Sequence, residues 1–457
     1  MTANPSTRSA RAEHAGSAVT EPAGPVRRHR RTVLGIALLV FGLKLIVAAR
    51  TYGTNDIRHW TDFVNGVASR GPVGVYGITF ERSFYNHPPV IGYLLEFVNA
   101  ARHIGFSIGF TIRSVASLAD IGSALLVFEI LRRRRSLREA RLAGVLVALS
   151  PILFIISGFH GNTDPIFVMF TLLALYLLAD RDRPLAGGLS MGLAIGIKIV
   201  PVVAIPALLV LALTRGSRTL VRFAAGFSAA FLITWLPALI GQGQAVRKDV
   251  LGYAGSGISQ WGLIQIGHWF HDPGWANFLI GSGRFPVVLL CALVPAALLW
   301  RRPAMAAEAI GLSLVGFLFL SPAFGTQYLV WAMAAAYLLN VGLATVYNLG
   351  AGVLLFQVYT RWSHGFPWNH ANYWGLDQVE LIGALLVWAC LAITAGVGIR
   401  RILHGSRPAE GLGDQPRTEP AAGLGDRPPT EPTAGLGDRP PTEPAEGLGD
   451  QPRTESV

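Results

Sequence analysis

The sequence predicts an all-α, polytopic membrane protein with about twelve transmembrane helices and a long first external loop that carries amphipathic helices. Three observations predict it. The chain is 51% hydrophobic and only 14% charged, with a mean hydropathy of +0.44; a soluble globular domain is roughly a quarter charged. Its apolar runs approach the ~20 residues that a helix needs to cross a bilayer. Short arginine clusters recur on every second connector, as the retention of basic loops in the cytoplasm requires.

Residues 1–31 hold much Ala, Ser, Thr, Pro and Arg and no apolar run, and end in Arg27, Arg28, His29, Arg30 and Arg31. They are expected to be a disordered cytoplasmic N-terminus. The apolar stretch from Thr32 to Ala49 runs into Arg50 and Tyr52 instead of a small-residue cleavage site, so it reads as an uncleaved first span. Spans are expected at 32–50, 110–131, 141–158, 165–180, 184–198, 200–214, 219–240, 285–300, 304–320, 325–341, 343–362 and 378–399. With this set, Arg132 to Arg135, Arg138, Arg141, Arg181, Arg183, Arg215, Arg218, Arg301, Arg302, Arg400 and Arg401 all fall inside. A crossing at Pro88 to Ile104 would move the four-arginine cluster outside. That stretch is therefore expected to lie on the outer surface as an amphipathic or re-entrant helix, with Ile57 to Ala68 as its companion.

The first external loop then runs from 51 to 108, a length that usually carries function. The integral domain spans 32–402. From 403 the chain turns Pro, Thr and Glu-rich, and Gly-Leu-Gly-Asp recurs at 411, 423, 435 and 447. These four twelve-residue repeats are expected to form a disordered cytoplasmic tail without a catalytic role. The formal net charge of +11 sits largely in the connectors, where it serves topology and lipid headgroups and implies no nucleic acid partner. Cys291 and Cys390 lie in apolar runs and imply neither a disulfide nor a cysteine metal site.

Polar residues gather on the external side. Asp56 follows the first span by six residues, where partial desolvation would raise its pKa toward that of a useful general base; it would equally serve as the N-cap of the next helix. His87 lies further along the same loop. The turn Phe159-His160-Gly161-Asn162-Thr163-Asp164-Pro165 packs several hydrogen-bonding groups together, although Asp164 and Pro165 also suit a helix start. Lys198 stands near the outer end of a span, where an ammonium costs about 2.5–3.5 kcal/mol and usually faces protein or water. Lys44 is a weaker instance. Arg113 and Asp120, seven apart, are expected to form a structural polar pair on one helix face. Arg361, His364 and His370 belong to an aromatic and basic loop suited to a phosphate and a sugar. Asp180-Arg181-Asp182 has the Asp-x-Asp form of some metal sites, but its short arginine-flanked connector argues against one.

An ordered set of motifs now carries a resemblance: Asp56, Tyr76, His87-Pro88-Pro89, His160 through Asp164, Leu185-Ala186-Gly187-Gly188, Gly192-Leu193-Ala194, Lys198-Ile199-Val200-Pro201, Pro206, Ser321-Pro322 and Gln327-Tyr328-Leu329-Val330-Trp331. Over residues 32 to 400 the chain resembles the GT-C class of membrane glycosyltransferases, especially bacterial polyprenyl-phosphate-mannose-dependent mannosyltransferases. The usual second motif is shorter, with Gln before the Asp where this chain has His160 and a longer turn. The resemblance implies a plasma-membrane enzyme with both termini cytoplasmic and an external active site. It would move a hexose, mannose first, from a polyprenyl-phosphate-sugar to an acceptor hydroxyl with inversion, Asp56 being the base. Lys198, Arg361, His364 and His370 would bind the donor phosphate, and His87, His160, Asp164, Gln327 and Tyr328 the sugar or acceptor. The acceptor would be a glycolipid, a polysaccharide or a protein. No cofactor is required, and a divalent metal is compatible but not implied. A transporter or flippase of a lipid-linked or small polar substrate is the alternative; it would place polar groups near the bilayer midplane within repeated halves, and neither is evident.

Overall fold

A computed structural model of the chain describes residues 23–404 except 82, 254–260 and 323. The tail repeats lie outside the described residues. Helix α1 (Ala23–Arg50) is followed by two amphipathic helices, α2 (Asp56–Gly74) and α3 (Pro89–His103). Next come α4 (Ile108–Leu131), α5 (Leu137–Ala148) and α6 (Pro151–Ile155), the last running into a wide π turn at Ile156–His160. The bundle continues with α7 (Asp164–Asp180), α8 (Pro184–Ile197), a tight turn at Val200–Ala204 leading into α9 (Ile205–Thr214), and α10 (Ser217–Ala245). Two short helices, α11 (Ile264–Trp269) and α12 (Pro273–Ile280), precede α13 (Arg284–Arg301) and α14 (Ala306–Leu320). A turn at Thr326–Leu329 opens α15 (Val330–Leu339), and α16 (Val341–Trp362) and α17 (Gln378–His404) complete the set.

Each of the twelve expected spans overlaps a helical element, and helices also form at the two stretches expected on the outer surface. Eight helices among the described residues are long and apolar enough to cross a membrane, and three shorter apolar ones run beside them. The fold is therefore an all-α polytopic membrane protein. Helix starts follow local chemistry. Ser107, Ser136, Ser150 and Asn340 accept backbone N–H groups as N-caps, and Pro151, Pro165 and Pro184 occupy first-turn positions where no N–H is needed. Gly71, at φ +73°, bends α2 just before Pro72.

The arginines gather at one end of the bundle and do more than signal topology. Arg134 pairs with Asp180 at 2.9 Å. Arg135 donates to the carbonyls of Leu338 and Leu339, Arg215 to those of Leu178 and Ala179, and Arg401 to that of Leu339. Each satisfies carbonyls left over at a helix C-terminus. The Asp-x-Asp pattern at 180–182 thus supplies an ion pair closing a connector.

Two expectations change. Helix α1 begins at Ala23, so Arg27 to Arg31 are helical, anchored by Arg30 to Glu129 of α4 at 2.5 Å. Arg113 and Asp120 do not pair: two helical turns separate them by roughly 10 Å, and each finds another partner. Asp120 binds Lys44 at 2.6 Å, a buried pair that joins α4 to α1. Arg113 donates to the carbonyls of Ala48, Thr51, Gly109 and Phe159 and to the Thr51 hydroxyl. It ties the end of α1 to the π turn, at the bundle end opposite the arginine connectors.

Candidate active site

That opposite end is organised around the π turn. Gly161 follows it at φ +90°, and a Cβ there would stand 2.5 Å from Ile57 Cδ1. Only glycine lets the chain turn back this closely. The carbonyls of His160 and Gly161 accept from Thr54 Oγ1 at 2.9 Å and Trp60 Nε1 at 2.8 Å, clamping the start of α2 onto the turn. Gly53 and Thr54 also pair in parallel with His370 and Ala371. Asp56 is thereby fixed at the first position of α2.

Asp56 Oδ2 lies 2.9 Å from His160 Nε2, and the far ring nitrogen, Nδ1, meets the Tyr359 hydroxyl in a short contact. An ionised carboxylate only accepts, so Nε2 carries the proton toward Asp56; in the neutral ring Nδ1 then accepts from Tyr359. His160 is buried, whereas the Asp56 side chain keeps 42% exposure and is open to a substrate. Desolvation works against ionisation of Asp56, but His160 foremost, with His59 and His87, outweighs it and lowers its pKa. This corrects the expected rise: the hydrogen bond from His160, together with the surrounding histidines, outweighs the desolvation of the carboxylate. His87 stacks on Trp60 at 4.6 Å between centroids. Burial first, then Lys198 and His59, push its pKa down to about 3 against an opposing pull from Asp56, so its ring is neutral.

A second group stands beside the first. The Asp164 carboxylate is fully buried and receives Lys198 Nζ at 3.0 Å, Trp331 Nε1 at 2.6 Å and Asn162 Nδ2 at 3.3 Å. Lys198 occupies an extended residue between α8 and the turn at Val200–Ala204, so its side chain leaves the helix and lies 5.6 Å from the Tyr328 ring. Gln327, half-buried, adjoins Tyr328 in the Thr326–Leu329 turn. Lys198 and Tyr328 line an apolar cavity of about 300 Å³ with Asn86, Tyr253 and Arg284 at its polar positions and Val202, Phe285 and Val288 among its walls. One loop joins the two groups: Asn86 lines this cavity, and the next residue, His87, stacks on Trp60 of α2, one helical turn from Asp56.

Not every expected residue joins it. Arg361 meets Glu380 at 2.7 and 2.5 Å and Asp377 at 3.5 Å, so two carboxylates occupy its guanidinium where a phosphate was expected. His364 is exposed beside Trp374. His370 lies 3.0 Å from Asn55 Oδ1, next to Asp56, but burial and Arg58 lower its pKa, leaving no cation for a phosphate. Sequence reasoning missed Tyr359, Tyr253, Trp60 and Arg284. Tyr359 had one signal, a hydroxyl inside an apolar run. Arg284 had another: it opens α13, where a cation opposes the helix dipole and so asks for an explanation other than helix stability.

Comparison with known proteins agrees with the resemblance. Residues 86–240 match the family described as dolichyl-phosphate-mannose-protein mannosyltransferase. The match contains His87, His160, Asp164 and Lys198, while Asp56 and Tyr359 lie outside it. The chain is also similar to GPI mannosyltransferase 1 of Candida albicans, 24% identical over 133 residues, covering 28% of this chain and 31% of that protein. It is 24% identical to GPI mannosyltransferase 1 of Debaryomyces hansenii over 185 residues, covering 38% of this chain and 43% of that one. The aligned part thus spans less than half the length of these relatives. The chain resembles GT-C mannosyltransferases in sequence and has an all-α membrane fold.

Proposed function

We propose that the chain transfers a mannosyl group from polyprenyl-phosphate-mannose to an acceptor hydroxyl at the outer face of the plasma membrane. One observation carries the reading: an accessible carboxylate, Asp56, held by His160, is joined through the Asn86–His87 loop to an apolar cavity lined by Lys198. The cavity suits a prenyl chain, and the cation suits its phosphate. The similarity to mannosyltransferases supports the sugar. The positive-inside rule supports a cytoplasmic side for the arginine-capped end of the bundle and an external one for the opposite end, where Asp56 lies.

In the proposed step the acceptor oxygen attacks the anomeric carbon as the bond to the donor phosphate breaks, in a single displacement that inverts configuration. Asp56 takes the hydroxyl proton. With a lowered pKa it is a weak base toward a resting alcohol, and it acts as bond formation makes that hydroxyl acidic. His160, oriented by Tyr359, holds the carboxylate. The phosphate leaves with the bonding electrons, and its charge is met by Lys198 and Arg284 in low-dielectric surroundings. Asp164 positions Lys198, and neutral His87 offers a ring nitrogen to a sugar hydroxyl. Purified protein given synthetic polyprenyl-phosphate-[³H]mannose and membrane extract is expected to form labelled product. Folded protein that transfers from no lipid-phosphate sugar would overturn the reading in favour of transport.

A further inference from the structure

The π turn that carries His160 rests on a buried ion pair. The turn closes by a bond from the Gly161 N–H to the Ile156 carbonyl at 3.2 Å, five residues apart rather than the four of an α-helix. That register decides where His160 points. One residue fewer in the turn would swing its ring by roughly 100° around the helix axis, away from Asp56. Wide turns of this kind concentrate at functional sites. The carbonyls of Phe159, His160 and Gly161 are gripped by Arg113, Thr54 and Trp60. The earlier part of the turn lies against α1, at Lys44.

Gly158 is the point of contact. A Cβ there would stand 3.1 Å from Lys44 Cγ and 3.2 Å from Lys44 Cβ, so the lysine stem crosses the turn where a larger residue would crowd it. Its ammonium then reaches the Asp120 carboxylate of α4 at 2.6 Å. The ion pair therefore pins the stem over Gly158, two residues before His160. Lys44 lies well inside the end of α1 at Arg50, about 9 Å along the axis, and ionisable groups at that depth are costly to insert. A buried ion pair repays little of that cost as stability, because apolar side chains of similar volume serve as well. What apolar side chains do not reproduce is the fixed geometry of the two charges.

Resting on the proposed function, we infer that Lys44 and Asp120 are positioning residues for the transfer: their ion pair, through the lysine stem on Gly158, holds the π turn in the register that brings His160 to Asp56. Neither residue touches a reactant. The proton still goes to Asp56, and the pair sets the 2.9 Å contact by which His160 holds that carboxylate. Displacing a reacting group by about 1 Å lowers a rate by up to 10²-fold.

The full chain in lipid nanodiscs tests this with Lys44→Met/Asp120→Leu, which replaces the two charges by apolar side chains of similar shape. Thermal stability should match wild type, whereas kcat should fall about tenfold or more with KM for polyprenyl-phosphate-mannose unchanged. In a His160→Gln background the same two changes should alter kcat less than about twofold, because the route through His160 is already cut. Gly158→Ala keeps the ion pair and crowds the stem; it should lower kcat in the same way, and it decides the matter if the double variant does not fold. Nitrogen-15 NMR of labelled histidine, with the His160 signal assigned by its loss in His160→Gln, reads the ring without any transfer. Wild type should show the Nε2-protonated form, and both variants a mixture of ring forms. Wild-type kcat with an unchanged His160 signal in a folded variant would overturn the inference, as would a loss of kcat that persists in full in His160→Gln. If wild type transfers no sugar, the proposed function fails, and the His160 signal still judges the positioning.

Discussion

Lys198 has two roles in this account, structural and chemical, and a pair of substitutions separates them. Lys198→Met leaves the fully buried Asp164 carboxylate without its cation, although Trp331 and Asn162 still donate to it. Stranding a buried charge costs about 3–5 kcal/mol. The lower end applies because Lys198 itself keeps 23% exposure and two donors remain. The double variant Lys198→Met/Asp164→Asn removes the stranded charge, and its amide oxygen can still accept from Trp331, so stability should return to within about 1 kcal/mol of wild type. Activity should not return. Loss of one charged donor to the leaving phosphate is worth about 1.5–3 kcal/mol, a fall in kcat/KM of roughly tenfold to a hundredfold. Thermal unfolding in detergent reads the first quantity and initial transfer rates the second. A double variant that recovers both would show that Lys198 serves only to neutralise Asp164, and would refute its phosphate role.

Other outcomes follow from the same geometry. Because the Asp56 pKa is lowered, the basic form persists above that pKa and is lost as pH falls through it. The acid limb of kcat/KM should therefore lie below the ordinary Asp value of 3.8, and His160→Gln should move it upward; a wild-type limb well above 3.8 would contradict the arrangement. Gly161→Ala should destabilise the protein by about 2 kcal/mol or more in chemical unfolding, from the left-handed backbone and the contact with Ile57. Wild-type stability would show that the turn relaxes freely. Deleting residues 405–457 should leave kcat/KM within about twofold, as expected from the Pro, Thr and Glu-rich composition of the tail, and a larger loss would give the repeats a part in catalysis.

Much of the fold was legible because two strong signals agreed. Apolar runs matched helical elements throughout, and a helix, α3, forms at the stretch Pro88 to Ile104 that the arginine connectors argued against counting as a span. The Asp56 loop, the His160 turn and Lys198 were legible as polar residues collected on one face. What stayed hidden were partners distant in sequence. Nothing local says that Lys44 will meet Asp120, that Tyr359 will meet His160, or that Glu380 and Asp377 will occupy Arg361. The sign of the Asp56 shift was hidden for the same reason. Desolvation can be guessed from a position at the membrane surface, but the three imidazoles arrive from α2, the His87 loop and the π turn only once the chain folds.

The most direct test of the central claim is the transfer rate of Asp56→Asn beside wild type, with polyprenyl-phosphate-mannose as donor. Asparagine keeps the shape and can still bond His160, but it cannot take a proton. Loss of a general base costs about 10²–10⁴ in rate, so kcat should fall at least a hundredfold while KM for the donor and thermal stability stay close to wild type. Wild-type kcat in this variant would contradict the assignment of Asp56 as the base.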